Sequence, residues 1–138
     1  MSDSGPYSSK EAWVATLQSA FNGPQEDVEP TMLKLYTKET KITIDGKSYD
    51  WDAFMANVAW VRDVSSKVDI NSHCFLRDGN LFAEKHTLTA TMKSDGPPVT
   101  VEGYIFGELG DDGKALWVDE QPRTLDQAGA SADVPKTA

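Results

Sequence analysis

Near residue 66 the hydrophobic period of this chain changes from 3.6 to 2, and that switch limits the fold more than any other feature. Beyond it, Lys67–Leu76 alternates apolar residues at Val68, Ile70, Cys74 and Leu76 and ends at Arg77-Asp78-Gly79-Asn80. Leu81–Met92 forms a long second run closed by Ser94-Asp95-Gly96-Pro97-Pro98, and Val99–Leu109 a third closed by Gly110-Asp111-Asp112-Gly113. Lys114–Gln121 is the last. Four alternating runs separated by short Gly, Asp and Pro turns predict an antiparallel meander.

Before the switch the pattern is helical. Trp13, Val14, Leu17, Ala20 and Phe21 make one apolar stripe, opened by Ser8 or Ser9 and stopped by Gly23-Pro24. Ser8-x-x-Glu11 fits a capping box. A second short helix is expected from Pro30, burying Met32, Leu33, Leu35 and Tyr36. Lys41–Lys47 reads as a short strand with an Asp45-Gly46 turn, and a third helix runs from about Asp50 to Ser65. Helices first and a sheet afterwards predict an α+β domain: three N-terminal helices on a curved, mainly antiparallel sheet.

Length permits one core, since 138 residues lie within the single-domain range. The domain is expected over residues 9–121. Residues 1–8 read as a flexible N-terminus, and 122–138, without an aromatic residue, as a flexible C-terminal tail. The formal charge is −9, and residues 9–121 carry eleven basic against nineteen acidic side chains, so the imbalance belongs to the folded part. Such a surface repels phosphate backbones and anionic lipid, which argues against nucleic-acid and membrane partners. The lone Cys74 excludes an internal disulfide and a multi-cysteine zinc site. With no secretory pattern in the first residues, a cytoplasmic location is the expectation.

The element order, with Leu33-x-x-Tyr36, Phe82-Ala83-Glu84-Lys85-His86-Thr87-Leu88-Thr89-Ala90-Thr91 and Asp112-Gly113-Lys114-Ala115, resembles the SnoaL-like polyketide cyclase branch of the nuclear transport factor 2-like cone fold. The resemblance covers roughly residues 9–121. It implies helices closing a conical sheet over a pocket, and a superfamily that holds isomerases, dehydratases, epoxide hydrolases, cyclases and non-enzymatic binders. Activity must therefore be argued from the site.

Period two assigns the polar groups that travel with the apolar face. Glu84 and His86 share the phase of Phe82, Leu88, Ala90 and Met92, which reads as an acid/base pair or as a buried ion pair. On the next run Tyr104, Phe106 and Glu108 are expected to line the cone, Tyr104 as a donor to a developing oxyanion and Glu108 as a proton carrier. Val99, Val101 and Ile105 would then face outward. On the last run Leu116 and Val118 select Glu120 as inward, whereas a bulge would select Asp119. Arg62 falls close to the buried stripe of the third helix and calls for a carboxylate or an anionic ligand group, unless its head lies in water. Tyr36, Trp51 and Trp117 are expected in the pocket wall, and Cys74 as a small core residue.

No compact metal motif, phosphate loop or nucleophile elbow is present, so neither metal nor cofactor is expected. These residues predict a small cofactor-independent enzyme acting on a hydrophobic polyketide- or terpenoid-like molecule by acid/base chemistry. The alternative is a non-catalytic small-molecule binder or dimeric scaffold of the same fold. The Thr87, Thr89 and Val101 face predicts a homodimer through the outer sheet surface, with Thr89 and Val101 near its two-fold axis.

Overall fold

A computed structural model describes residues 5–125. The first helix, α1 (Lys10–Asn22), is capped by Ser9, whose Oγ accepts the Ala12 N–H at 3.0 Å. The cap falls one residue later than the Ser8 box requires, so Glu11 is not at the reciprocal position and that box does not form. A 3-10 turn (Gln25–Asp27) leads into α2 (Val28–Met32), which starts ahead of Pro30. Pro30 occupies the first turn, where the missing N–H would have no partner in the helix.

Two further elements precede the meander. β1 (Tyr36–Ile44) turns through Asp45 and Gly46, at φ 53° and 77°, into β2 (Lys47–Tyr49). Two successive left-handed residues make the hairpin turn that matches strand twist, and Asp-Gly is the pair that tolerates it. α3 (Trp51–Val64) is capped by Asp50, which accepts the Ala53 N–H at 2.8 Å.

β3 (Ser65–Asp78), β4 (Leu81–Met92), β5 (Val99–Leu109) and β6 (Ala115–Leu125) follow as an antiparallel meander. The six-stranded order is β2-β1-β6-β5-β4-β3, with β1 and β6 running parallel. The helices cover one face, and Trp13, Met32, Leu35, Val58 and Val68 are its most deeply buried large side chains.

Both expected boundaries move outward. Tyr7 is buried, donates to the Leu35 carbonyl at 2.9 Å and packs 4.9 Å from the Phe82 ring, so the ordered core begins before residue 9. β6 continues to Leu125, opposite Thr100, because ladder hydrogen bonds hold a polar segment without large apolar side chains. The rest of the expected tail, 126–138, lies outside the described residues, as do residues 1–4.

β3 departs from simple alternation. Val68, Ile70 and Ser72 keep the inner phase, and a bulge between Ser72 and Cys74 then inserts His73 as an extra residue, which puts Phe75 on the helix-covered side. Cys74 and Leu76 therefore face outward. Cys74 is exposed and not a core residue.

Candidate active site

On β4 the inner phase is Phe82, Glu84, His86, Leu88 and Ala90, as the alternation predicts. Glu84 is 4% exposed and His86 5%, so both polar heads are desolvated and need partners. Glu84 has two: its Oε2 accepts the Ser72 hydroxyl at 2.8 Å, and its Oε1 lies 2.6 Å from His86 Nδ1. An ionised carboxylate only accepts, so Nδ1 carries a proton and Nε2 is the free nitrogen of the neutral ring. The Trp13 indole closes one side of the imidazole, with centroids 5.4 Å apart.

Opposite His86 on β5 stands Gly103. A Cβ built there would lie 2.7 Å from both Cε1 and Nε2 of His86 and 3.1 Å from Glu120 Oε2. Glycine at this position thus leaves room for the imidazole and the Glu120 carboxylate to converge on one spot of the sheet. Glu120 points inward, directly across from the buried Ile105.

Burial depresses the His86 pKa. The Glu84 hydrogen bond and the charges of Glu120 and Glu84 outweigh that, so it stands above the ordinary histidine value. Burial raises the Glu120 carboxyl; His86 opposes this and Glu84 adds to it, and the net shift is upward. Tyr36 is buried, and burial followed by the Glu120 and Glu84 charges lifts its phenol well above the usual range. It is therefore a neutral hydrogen-bond donor across the physiological pH range. Chemically, the cluster offers a shared proton on a buried Glu–His pair, a second carboxyl poised to give or take one, and a buried phenol that feels both carboxylate charges.

The other expected site residues are elsewhere. The inner phase of β5 is Val101, Gly103, Ile105, Gly107 and Leu109, so Tyr104, Phe106 and Glu108 face outward. Two glycines had stripped that phase of its hydrophobic signal. Gly107 serves the same purpose as Gly103, since a Cβ there would strike the Phe82 ring at 2.5 Å. Trp117 and Asp119 share the outer side: Trp117 donates to Glu108 at 3.0 Å and Asp119 accepts from Gln121 at 3.2 Å. Val101 and Ile105, expected outside, are inside.

Arg62 needs no carboxylate. Its guanidinium donates to the Ala20 and Gly23 carbonyls, at 2.6 and 2.7 Å, and to the Gln25 side chain. It closes the C-terminal end of α1, whose last turn has no basic residue of its own. Trp51 is a wall residue whose indole N–H donates to Glu29 at 2.7 Å.

Sequence reasoning missed Ser72 and Gly103. A pair of strand glycines four residues apart was the available signal for close approach. Ser72 keeps the phase of Val68 and Ile70, so its inward side was legible, but a lone hydroxyl on an apolar face names no partner.

Among the described residues no three His, Cys, Asp or Glu side chains are arranged to hold a metal ion. Two clefts, of about 620 and 560 Å³, flank Arg62 at the far end of α3, lined in part by Trp60 and Lys93 on one side and Gln18 and Lys67 on the other. Neither reaches the Glu84–His86 cluster, and we place the chemistry by the cluster because perturbed, convergent groups carry more chemical information than an open surface groove.

No family model matches the sequence, and no curated protein matches it. Solved structures do. AclR of Streptomyces galilaeus, described as a candidate hydroxylase, superposes with a TM-score of 0.69 at 15% identity, over 91% of this chain and 88% of that one. IdmH of Streptomyces antibioticus, described as a candidate polyketide cyclase, gives 0.63 at 16%, over 84% and 91%. An NTF2-like protein from Exiguobacterium sp. 255-15, of unknown function, gives 0.63 at 16%, over 78% and 95%. The chain shares the NTF2-like cone fold of these proteins. At these identities the likeness reaches the fold and goes no further.

Proposed function

We propose that this protein is a cofactor-independent acid/base catalyst acting on a hydrophobic polyketide- or terpenoid-like molecule. The observation that supports it is the buried Glu84–His86 pair, anchored at Nδ1 with Nε2 turned toward Gly103 and Glu120. In this reading His86 Nε2 moves the proton, Glu84 steadies the imidazolium, Glu120 completes the transfer at the neighbouring position, and Tyr36 donates to the developing oxygen charge. Isomerisation, dehydration, cyclisation and epoxide opening all need one group that removes a proton and another that delivers one to an oxygen or carbon. The description of IdmH as a candidate polyketide cyclase supports that substrate class.

Deuterium exchange tests this. Wild-type protein incubated in D₂O with a panel of cyclic diketones and polycyclic enones should exchange an acidic C–H, and His86→Gln should slow it at least ~100-fold, the usual worth of a positioned general base. Equal exchange by both proteins, or none from wild type, would end the enzyme reading. Activity should persist in a chelator.

A second reading, a non-catalytic small-molecule binder, is favoured by the closure of the cluster: Glu84 and His86 are almost fully buried and both clefts open elsewhere. Binding of panel compounds without exchange would select it.

Two copies pairing through the outer sheet face is the accompanying proposal, on a revised set of residues. Phe106 and Tyr104, 52% and 38% exposed, stand there beside Thr87 and Thr89, and Leu116 is 53% exposed on the adjoining strand. Light scattering should give twice the 15.1 kDa chain mass, and Phe106→Glu should return it to one. A cytoplasmic location accords with the free, exposed thiol of Cys74.

A further inference from the structure

We propose that Ser72 is a positioning residue: through Glu84 it sets which nitrogen of His86 is presented to the reacting group. The inference rests on the acid/base reading above and extends it to a third strand. β3 contributes no titratable group to the cluster, yet its alternation with Val68 and Ile70 turns Ser72 inward, opposite His86 in the strand register.

The geometry is a chain with a single direction. Ser72 Oγ donates to Glu84 Oε2, and His86 Nδ1 meets Glu84 Oε1. Ser72 is 6% exposed, so its hydroxyl has no solvent to turn to and spends its proton on the carboxylate. A carboxylate held at both oxygens cannot rotate about its last bond, and its Oε1 lone pair stays aimed at Nδ1. That selects the Nδ1–H tautomer and leaves Nε2 bare on the side of Gly103 and Glu120. Without the hydroxyl, Oε2 is a buried acceptor lacking this partner. Glu84 then turns to find another, the hold on Nδ1 slackens, and the neutral ring samples both tautomers.

The carboxyl charge alone would not impose this orientation. Ser72 and His86 bind opposite oxygens of one group, which fixes its plane. Glu120, the other carboxylate acting on the imidazole, lies on the Nε2 side, where it cannot restore the Nδ1 bond. Ser72 is inward by alternation with Val68 and Ile70, diagonal to Glu84 across the β3–β4 ladder; the bulge beyond it puts Phe75, and not Cys74, opposite Glu84.

Nitrogen-15 NMR of the His86 ring, across a pH series that reaches the neutral imidazole, decides the matter. Wild type should show a single tautomer protonated at Nδ1. Ser72→Ala should move the two ring-nitrogen shifts toward each other, as a mixed population does, with thermal unfolding still cooperative. Ser72→Cys, close in size and only a weak donor, should do the same and serves if the alanine variant fails to fold. In the exchange assay both should lower kcat about tenfold at unchanged KM, the size of effect seen when the partner of a functional histidine is lost. A wild-type tautomer signature in either folded variant overturns the proposal. A shifted tautomer in a protein with no exchange activity would uphold the positioning role and remove the catalytic reading, so the two claims fail separately.

Discussion

β4 and β5 carry a cluster of charged groups on each face, and the two differ in almost everything but composition. On the outer face Glu102 accepts from Arg123 at 2.8 Å and from Tyr104 at 3.3 Å, with Lys85 at 3.8 Å and poised 5.3 Å from the Tyr104 ring centroid. Its cations are 41% and 52% exposed at the side chain, so water competes for every contact. On the inner face the Glu84 and His86 side chains are 0% and 7% exposed, and each contact there replaces water that cannot return. Surface pairs of the first kind contribute about 0–1 kcal/mol. Groups of the second kind are costly to leave half-made, which couples the fold to the state of the site.

Breaking the inner cluster should therefore give the largest effect. Glu84→Ala strands a buried imidazole and the Ser72 hydroxyl, and chemical denaturation should report a loss of about 3–5 kcal/mol, the cost of orphaning one member of a buried pair. A loss below about 1 kcal/mol would mean that water enters the inner face as freely as the outer.

Gly103→Ala comes next. The added methyl sits 2.7 Å from the imidazole, so the ring must move; about 1–3 kcal/mol of stability should go, with a displaced His86 ring resonance. An unaltered resonance would show that the ring is not seated on Gly103.

The pH dependence sharpens the contrast further. The folded His86 pKa lies above its ordinary 6.5, so its contribution is complete below 6.5 and is lost as pH rises through the raised value. Glu120 works in the same direction from 4.5 upward, because its folded carboxyl also keeps a proton longer than the unfolded one. Unfolding free energy should thus decline as pH climbs from mildly acid toward alkaline, and His86→Gln should flatten the upper part of that decline. A rise over the same window in wild type would contradict both shifts. The smallest effect belongs to the outer cluster: Glu102→Gln should change stability by less than about 1 kcal/mol, and added salt should erase the difference.

The same contrast explains what could be read in advance. β4 matched its expected span from Leu81 to Met92, and the inward facing of Glu84 and His86 followed from alternation with Phe82, Leu88 and Ala90. Glu120 was legible for the same reason, through Val118. Arg62 was legible only as an anomaly. Its partners are backbone carbonyls of α1, some forty residues earlier, and backbone acceptors leave no trace in a residue pattern.

Local sequence determined the elements of this protein, since capping residues, turn glycines and hydrophobic period act within a few residues of one another. It also determined the inner face of any strand whose apolar residues keep phase. Only the tertiary structure decided the rest. β5 shows its inner face through Gly103 and Gly107, whose purpose is to make room for side chains of β4, so their meaning lies on another strand. A bulge in β3, just beyond Ser72, decided that Cys74 faces out and Phe75 in, by shifting the register one residue against its neighbour. Phase is a property of one strand, while a site is made where several meet, and the hydrogen bonds between them choose which side chains arrive.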